Sequence, residues 1–185
     1  VIGAGTMGLL NAQAVRACGA RVIVTEMMEK KIKTAKVMGF EVIDAGAADP
    51  VERVKQMTGG RGADAVIVAA GATKANEQAA AMLKHFDGRM LMFAAAYPAP
   101  ELGISSNDIH YRRMEILGTY LGDTKDFLEA ARLLNQRVVD VRPLIEASYP
   151  LEDIQKAFEE AARPGNYRVS VMLHESGREE GPCSK

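Results

Sequence analysis

Short runs of β-branched and apolar residues alternate with helical patterns along this chain, and that alternation leaves few folds open. The stretches RVIVTE (Arg21 to Glu26), FEVID (Phe40 to Asp44), ADAVIVAAG (Ala63 to Gly71) and GRMLMFAAA (Gly88 to Ala96) read as strands buried on both faces. Between them lie MGLLNAQAVRAC, MMEKKIKTAKVM, PVERVKQMT and KANEQAAAMLKHF, whose apolar residues recur at spacings of three and four, the period of one helix face. Asp49, Pro50 and Glu52 mark a helix start. They supply a side-chain cap, a proline where no amide donor is needed and a carboxylate near the positive helix end. The order βαβαβ predicts an α/β fold: a doubly wound parallel sheet with right-handed crossovers and helices on both faces. No internal repeat or low-complexity block interrupts it.

The opening VIGAGTMGLL falls where this alternation calls for a strand-to-helix turn, and it carries Gly3, Gly5 and Gly8 at the spacing G-x-G-x-x-G. Alone, that spacing describes a tight turn that lets a strand and a helix pack. Here Val1 and Ile2 supply a short strand before it, a helix follows from Met7, and an acidic residue, Glu26, ends the next strand 18 positions after Gly8. This is the dinucleotide-binding arrangement of a Rossmann sheet. Gly3 permits the turn, Gly5 lets the backbone approach a pyrophosphate, and Gly8 lets the helix lie close to the sheet, with its free amides facing the phosphates. Glu26 is expected to accept both hydroxyls of an adenosine ribose and to repel a 2′-phosphate, so NAD is expected over NADP. Lys30 and Lys31 read either as the solvated face of a helix or as a reach to the ribose or a phosphate.

Composition narrows the remaining classes. The chain has 185 residues, 48% of them hydrophobic, with a formal net charge of -1, which suits one globular domain or one domain plus part of another. Basic and acidic residues are interspersed, so no face builds the positive field that nucleic acid requires. No run approaches the roughly 20 apolar residues of a membrane-spanning helix, and the start lacks the charged region of a signal peptide. The cytoplasm is the expected compartment. Cys18 and Cys183 are far apart and unaccompanied, so neither a disulfide framework nor a zinc cluster is read from them.

The residues offer no evident reaction centre. None of Tyr97, Tyr111, Tyr120, Tyr149 or Tyr167 has Lys four residues on, the pair a short-chain dehydrogenase needs. His85, His110 and His174 are isolated and read as surface or helix-end residues. No catalytic residue and no metal ligand is assigned.

The second half of the chain resembles the C-terminal half of the zinc-dependent medium-chain alcohol dehydrogenases, nearest to the sorbitol (polyol) and threonine dehydrogenases. The resemblance runs from Val1 to about Leu173 and rests on pieces in order. These are the glycine fingerprint, the GADAVIVAAG strand, the glycine before RMLMF, the RMEILGTY strand, and PLIEASYPLEDIQKAFEEA before a closing strand. It implies an NAD-dependent enzyme that moves a hydride between a small secondary alcohol or polyol and the cofactor. The catalytic zinc would belong to a separate lobe that this chain lacks. The glycine motif that begins almost at residue 1 then reads as the clipped first strand of an excised nucleotide-binding half, inactive by itself. A family glutamate after VI in the fourth strand is replaced here by Val68.

Residue roles carried over from the resemblance place the amides of Thr6 and Met7 on the pyrophosphate, Glu26 on the ribose, and Lys31, five positions later, near the same ribose. The nicotinamide would lie across Ala70, Gly71, Phe93, Ala94, Ala95 and Leu117. Arg168 reads either as a pyrophosphate contact or as an ordinary surface arginine. The expected organisation is a dinucleotide-binding domain over 1–142, a segment over 143–173 that returns to complete the absent lobe, and a flexible tail over 174–185. In isolation the strands LIEAS and YRVSVML would have unpaired edges. The resemblance also implies a homodimer through the sheet edge near Leu102 to Ser105. Two other readings are a stand-alone NAD-binding or regulatory module without catalysis, and a 3-hydroxyacyl-CoA dehydrogenase. The strand-rich end argues against the latter.

Overall fold

The computed structural model describes residues 1–173; His174, Cys183 and the expected tail over 174–185 lie outside the described residues. The chain divides into two compact units, Val1–Asp140 and a second that begins at Val141.

In the first unit helices and strands alternate as the sequence predicts. The order is α1 (Thr6–Ala17), β1 (Ile23–Glu26), α2 (Glu29–Val37), β2 (Glu41–Asp44), α3 (Pro50–Met57), β3 (Ala65–Val68), α4 (Thr73–Met82), β4 (Arg89–Met92), α5 (Ser106–Tyr111), β5 (Glu115–Gly118) and α6 (Thr124–Asn135). Three residues join the sheet. On one side the Val1 amino group donates to the Ile23 carbonyl (2.8 Å), and the Thr25 and Gly3 amides donate to the carbonyls of Val1 and Thr25 (2.9 Å each). On the other side the Ile2 amide donates to Ile67 and the Ala69 amide donates to Ile2, both at 2.9 Å. The result is a parallel sheet in the order β2, β1, Val1–Gly3, β3, β4, β5, with Ile2 level with Thr25 and with Val68. This is the doubly wound order in which chain direction reverses beside the first strand.

The core follows from the β-branched runs and the small faces of the helices. Val24, Val66, Val68 and Met90 of the sheet are buried, as are Leu9 and Ala12 of α1, Ile32 and Ala35 of α2, Val54 of α3 and Ala75 and Ala79 of α4. Fully burying a side chain of the size of Leu9 or Met90 contributes roughly 1.5–3 kcal/mol. The expected burial on both faces is only partial in β3 and β4, where Val66, Val68 and Met90 are buried but Ile67, Leu91 and Met92 half-buried, and it fails at the edges, where Glu41, Asp44, Glu115 and Leu117 are exposed. Edge strands have a neighbour on one side only, and their charged ends stay in water.

The helices stop where tertiary pairing takes over. KANEQAAAMLKHF reads as one helix, yet α4 ends at Met82, and Leu83 is extended (φ -66°, ψ 146°). There the Ala63 amide donates to Met82 and the Lys84 amide to Ala63, a short parallel bridge that periodicity does not reveal. The Arg112 guanidinium donates to the carbonyls of Ala80, Leu83, Lys84 and His85, satisfying groups that the helix end leaves open.

The second unit is a single βαβ crossover. β6 (Ile145–Pro150) and β7 (Arg168–Met172) pair in parallel around α7 (Ile154–Ala161), with Leu144, Ala157 and Tyr167 buried among them. The expected strands LIEAS and YRVSVML therefore pair with each other, and in a two-stranded sheet each keeps one outer edge.

Asp49 caps α3 as expected, its Oδ1 accepting from the Val51 and Glu52 amides at 2.8 and 3.5 Å. Replacing Asp49 by Ala removes both bonds and should cost about 1 kcal/mol, read as a lower urea midpoint with an unchanged slope.

Candidate cofactor-binding site

The carboxyl ends of the parallel strands gather at one edge of the sheet, and the reversal of strand order beside Ile2 opens the crevice where ligands of such sheets bind. The glycine loop fills the base of that crevice. Gly3 has φ +96°, and a Cβ there would lie 3.1 Å from the Ala69 carbonyl oxygen. A Cβ on Gly8 would lie 1.9 Å from the Gly3 carbonyl oxygen, so α1 rests directly on the loop and no other residue fits. Gly5 differs: it precedes α1 in extended conformation, and a Cβ there would meet nothing within 4 Å. The backbone at Gly5 is therefore bare toward the crevice. No side chain caps α1 and its first turn has no acidic residue. The amides of Thr6 and Met7 thus belong to the uncompensated positive end of a helix.

Glu26 ends β1 beside this loop. Its Oε2 accepts from the Ala4 amide at 2.8 Å, and its Oε1 accepts from the Met27 and Met28 amides at 2.7 and 3.0 Å. Backbone donors hold the carboxylate in place before any ligand arrives, and bonds to an ionised acceptor are the stronger kind. Of roughly four acceptor positions on a carboxylate, these amides use three. Two ribose hydroxyls would therefore compete with the longer Met28 bond. Lys31 is half-buried in the first turn of α2, and Lys30 beside it is exposed.

At the other end of the crevice the ends of β3 and β4 converge. The Phe93 and Ala94 amides both donate to the Val68 carbonyl, at 3.1 and 2.9 Å. Ala70 lies beside Gly3, and a Cβ on Gly71 would fall 2.6 Å from the Ala96 Cβ and 3.2 Å from the Ala95 carbonyl oxygen. The structure thus brings Gly3, Gly5, Gly8, Glu26, Ala70, Gly71, Phe93, Ala94 and Ala95 to one edge. Leu117 is placed differently: it lies inside β5, level with Leu91 rather than with the strand ends. Arg168 opens β7, in the second unit.

Sequence reasoning missed the donors that hold Glu26. They are backbone groups of Ala4, Met27 and Met28, and a backbone amide leaves no mark in residue identity. It also missed a groove of about 580 Å³ lined by 45–51 and by Lys74, Glu77 and Gln78 of α4. That groove begins at Ala45, whose amide donates to the Glu26 carbonyl at 2.9 Å.

The profile of the zinc-binding dehydrogenase family matches residues 6–136, and the chain belongs to that family. It is 29% identical over 180 residues to a 2-dehydro-3-deoxy-L-galactonate 5-dehydrogenase of Pseudoalteromonas atlantica, covering 97% of this chain and 51% of that protein. It is likewise 29% identical to a sorbitol dehydrogenase of Halalkalibacterium halodurans, over 94% of this chain and 50% of the relative. The chain therefore spans about half the length of the curated relatives it matches. The fold is shared with a Sinorhizobium meliloti protein assigned to the zinc-binding dehydrogenases and solved with NADP bound. The TM-score is 0.82 at 24% identity, over 92% of this chain and 51% of the other.

The zinc in the family's name finds no ligand set here: among the described residues no group of three or more His, Cys, Asp or Glu is placed to hold a metal ion. A dinucleotide does fit the residues present, because the bare backbone at Gly5 and the held carboxylate of Glu26 provide for its phosphates and its ribose. Among the described residues no helix is long and apolar enough to cross a membrane.

The two glycines should separate experimentally. Gly8→Ala drives a methyl group into the Gly3 carbonyl and should destabilise the fold by about 3 kcal/mol. Gly5→Ala meets no atom and should leave the thermal midpoint within a degree or two. Matched midpoints for the two variants in a thermal melt would contradict this geometry.

Proposed function

We propose that this chain is the NAD-binding part of an alcohol or polyol dehydrogenase. The observation that carries the reading is the Glu26 carboxylate, held by the Ala4 amide within the glycine loop and set beside the uncapped start of α1. In this reading the amides of Thr6 and Met7 take the pyrophosphate, and Glu26 takes the adenosine ribose, with Lys31 near it. Ala70, Gly71, Phe93, Ala94 and Ala95 border the nicotinamide, while Leu117 stands a strand further out and Arg168 reaches the pyrophosphate only if the second unit brings it there. The bound cofactor supplies hydride transfer at its nicotinamide ring. The residues of this chain bind and orient it.

NAD is preferred in this reading because a 2′-phosphate would meet the Glu26 carboxylate with like charge at short range. The sorbitol dehydrogenase among the relatives supports a polyol or other secondary alcohol as substrate of the whole enzyme. Segment 143–173 completes a second lobe. Its support is the apolar surface that so small a unit leaves outside, including Phe158 (67% exposed) and Leu151 (46%). The stand-alone module remains the competing reading.

Titration by nicotinamide fluorescence tests the core of this proposal. NADH should bind the chain more tightly than NADPH, and Glu26→Ala should remove about 1–3 kcal/mol of that preference through loss of charge-assisted hydrogen bonds. Sorbitol and threonine should not be turned over by the chain alone. Equal binding of the two cofactors would sink the assignment of Glu26, and turnover would sink the assignment of the reaction centre to another lobe.

A homodimer through the segment Leu102 to Ser105 belongs to the same reading. The structure gives this segment no strand, and Gly103, at φ +65°, stands in a conformation that a paired strand does not adopt. Edge pairing there requires Gly103 to flatten. A two-chain mass in sedimentation at micromolar concentration is the expected result; a single-chain mass would remove the interface.

A further inference from the structure

Gln13 is 3% exposed, one of few buried polar side chains among the described residues. It lies on α1, the helix that starts at the glycine loop, eight residues after Gly5 and therefore about 12 Å along the helix axis. Its neighbours on that face, Leu9 and Ala12, are apolar and serve packing alone. An amide buried among them costs free energy unless both its donor and its acceptor are used. Both are. Nε2 donates to the Asp140 carbonyl at 3.0 Å, and Oε1 accepts from the Asp140 amide at 2.7 Å, across 127 positions of sequence. One side chain thus reads both backbone groups of a single residue, as a neighbouring strand would.

Asp140 is the last residue of the first unit. The chain reaches it from α6, which has no buried residue and leaves Phe127 73% and Leu128 68% exposed. α6 therefore buries little at the exit of the chain from this unit, and the two Gln13 bonds tie that exit to α1. We propose that Gln13 is a positioning residue that ties this exit to the cofactor helix, so that a dinucleotide seated at the start of α1 also steadies Asp140. The proposal rests on the dinucleotide reading of the glycine loop. Mechanically it needs only that α1 moves as a rigid rod: pyrophosphate fixes one end, Gln13 stands two turns on, and the exit residue is bonded to Gln13. Whatever position the second unit takes, its first residue is joined to Asp140.

Amide hydrogen exchange on the intact chain, read across residues 137–141 with and without NADH, tests this. In the wild type the Asp140 amide should exchange slowly, and more slowly when NADH is bound. Gln13→Met keeps the length of the side chain but removes both polar groups. It should speed exchange at Asp140 by on the order of tenfold and abolish the response to NADH while NADH still binds. Gln13→Glu retains an acceptor for the Asp140 amide and loses the donor to its carbonyl, and should fall between the two. Equal protection of Asp140 in the wild type and in both variants overturns the clamp. A protected Asp140 that ignores bound NADH overturns the coupling. If NADH fails to bind while protection of Asp140 still depends on Gln13, the dinucleotide reading falls, and the coupling falls with it.

Discussion

Gly8 of the first helix lies directly against the carbonyl of Gly3 in the first unit. At this point helix and loop touch backbone to backbone, with room for a hydrogen atom and nothing larger. Much else follows from that contact. It lets Leu9 and Ala12 reach the sheet and leaves the start of the helix facing the crevice without a side-chain cap. It also sets the loop so that the Ala4 amide points at Glu26. A methyl group at position 8 would push the helix away from the loop.

Electrostatics in the crevice are arranged by backbone more than by side chains. The first-turn amides of α1 form a positive helix end, and three further amides hold the one carboxylate at the loop. The crevice thus sets backbone donors at the start of α1 and a carboxylate acceptor at the end of β1 on adjoining segments.

Each unit has a helix with exposed apolar side chains. Phe127 and Leu128 of α6, and Ile154 and Phe158 of α7, are exposed on helices whose other faces are polar. Monomeric domains rarely leave large apolar side chains out together. The chain spans about half the length of the curated relatives it matches.

The sequence alone determined the kind of fold and pointed to a candidate site within it. Short β-branched and apolar runs, and apolar spacings of three and four, are properties of consecutive residues, so strands and helices could be read without knowing their neighbours. The glycine spacing was legible because steric demand excludes every other side chain at position 8, and Glu26 because an acidic residue ended the expected strand. Tertiary structure decided what depends on residues far apart in the chain. It ended α4 at Met82, through the pairing of Ala63 with Leu83, and it set Leu117 level with Leu91 rather than at a strand end. It gave Glu26 its three amide donors and joined Gln13 to Asp140. The partners of the Glu26 and Gln13 side chains are backbone groups of Ala4, Met27, Met28 and Asp140, which residue identity does not announce; these pairings exist only once the fold has brought the positions together.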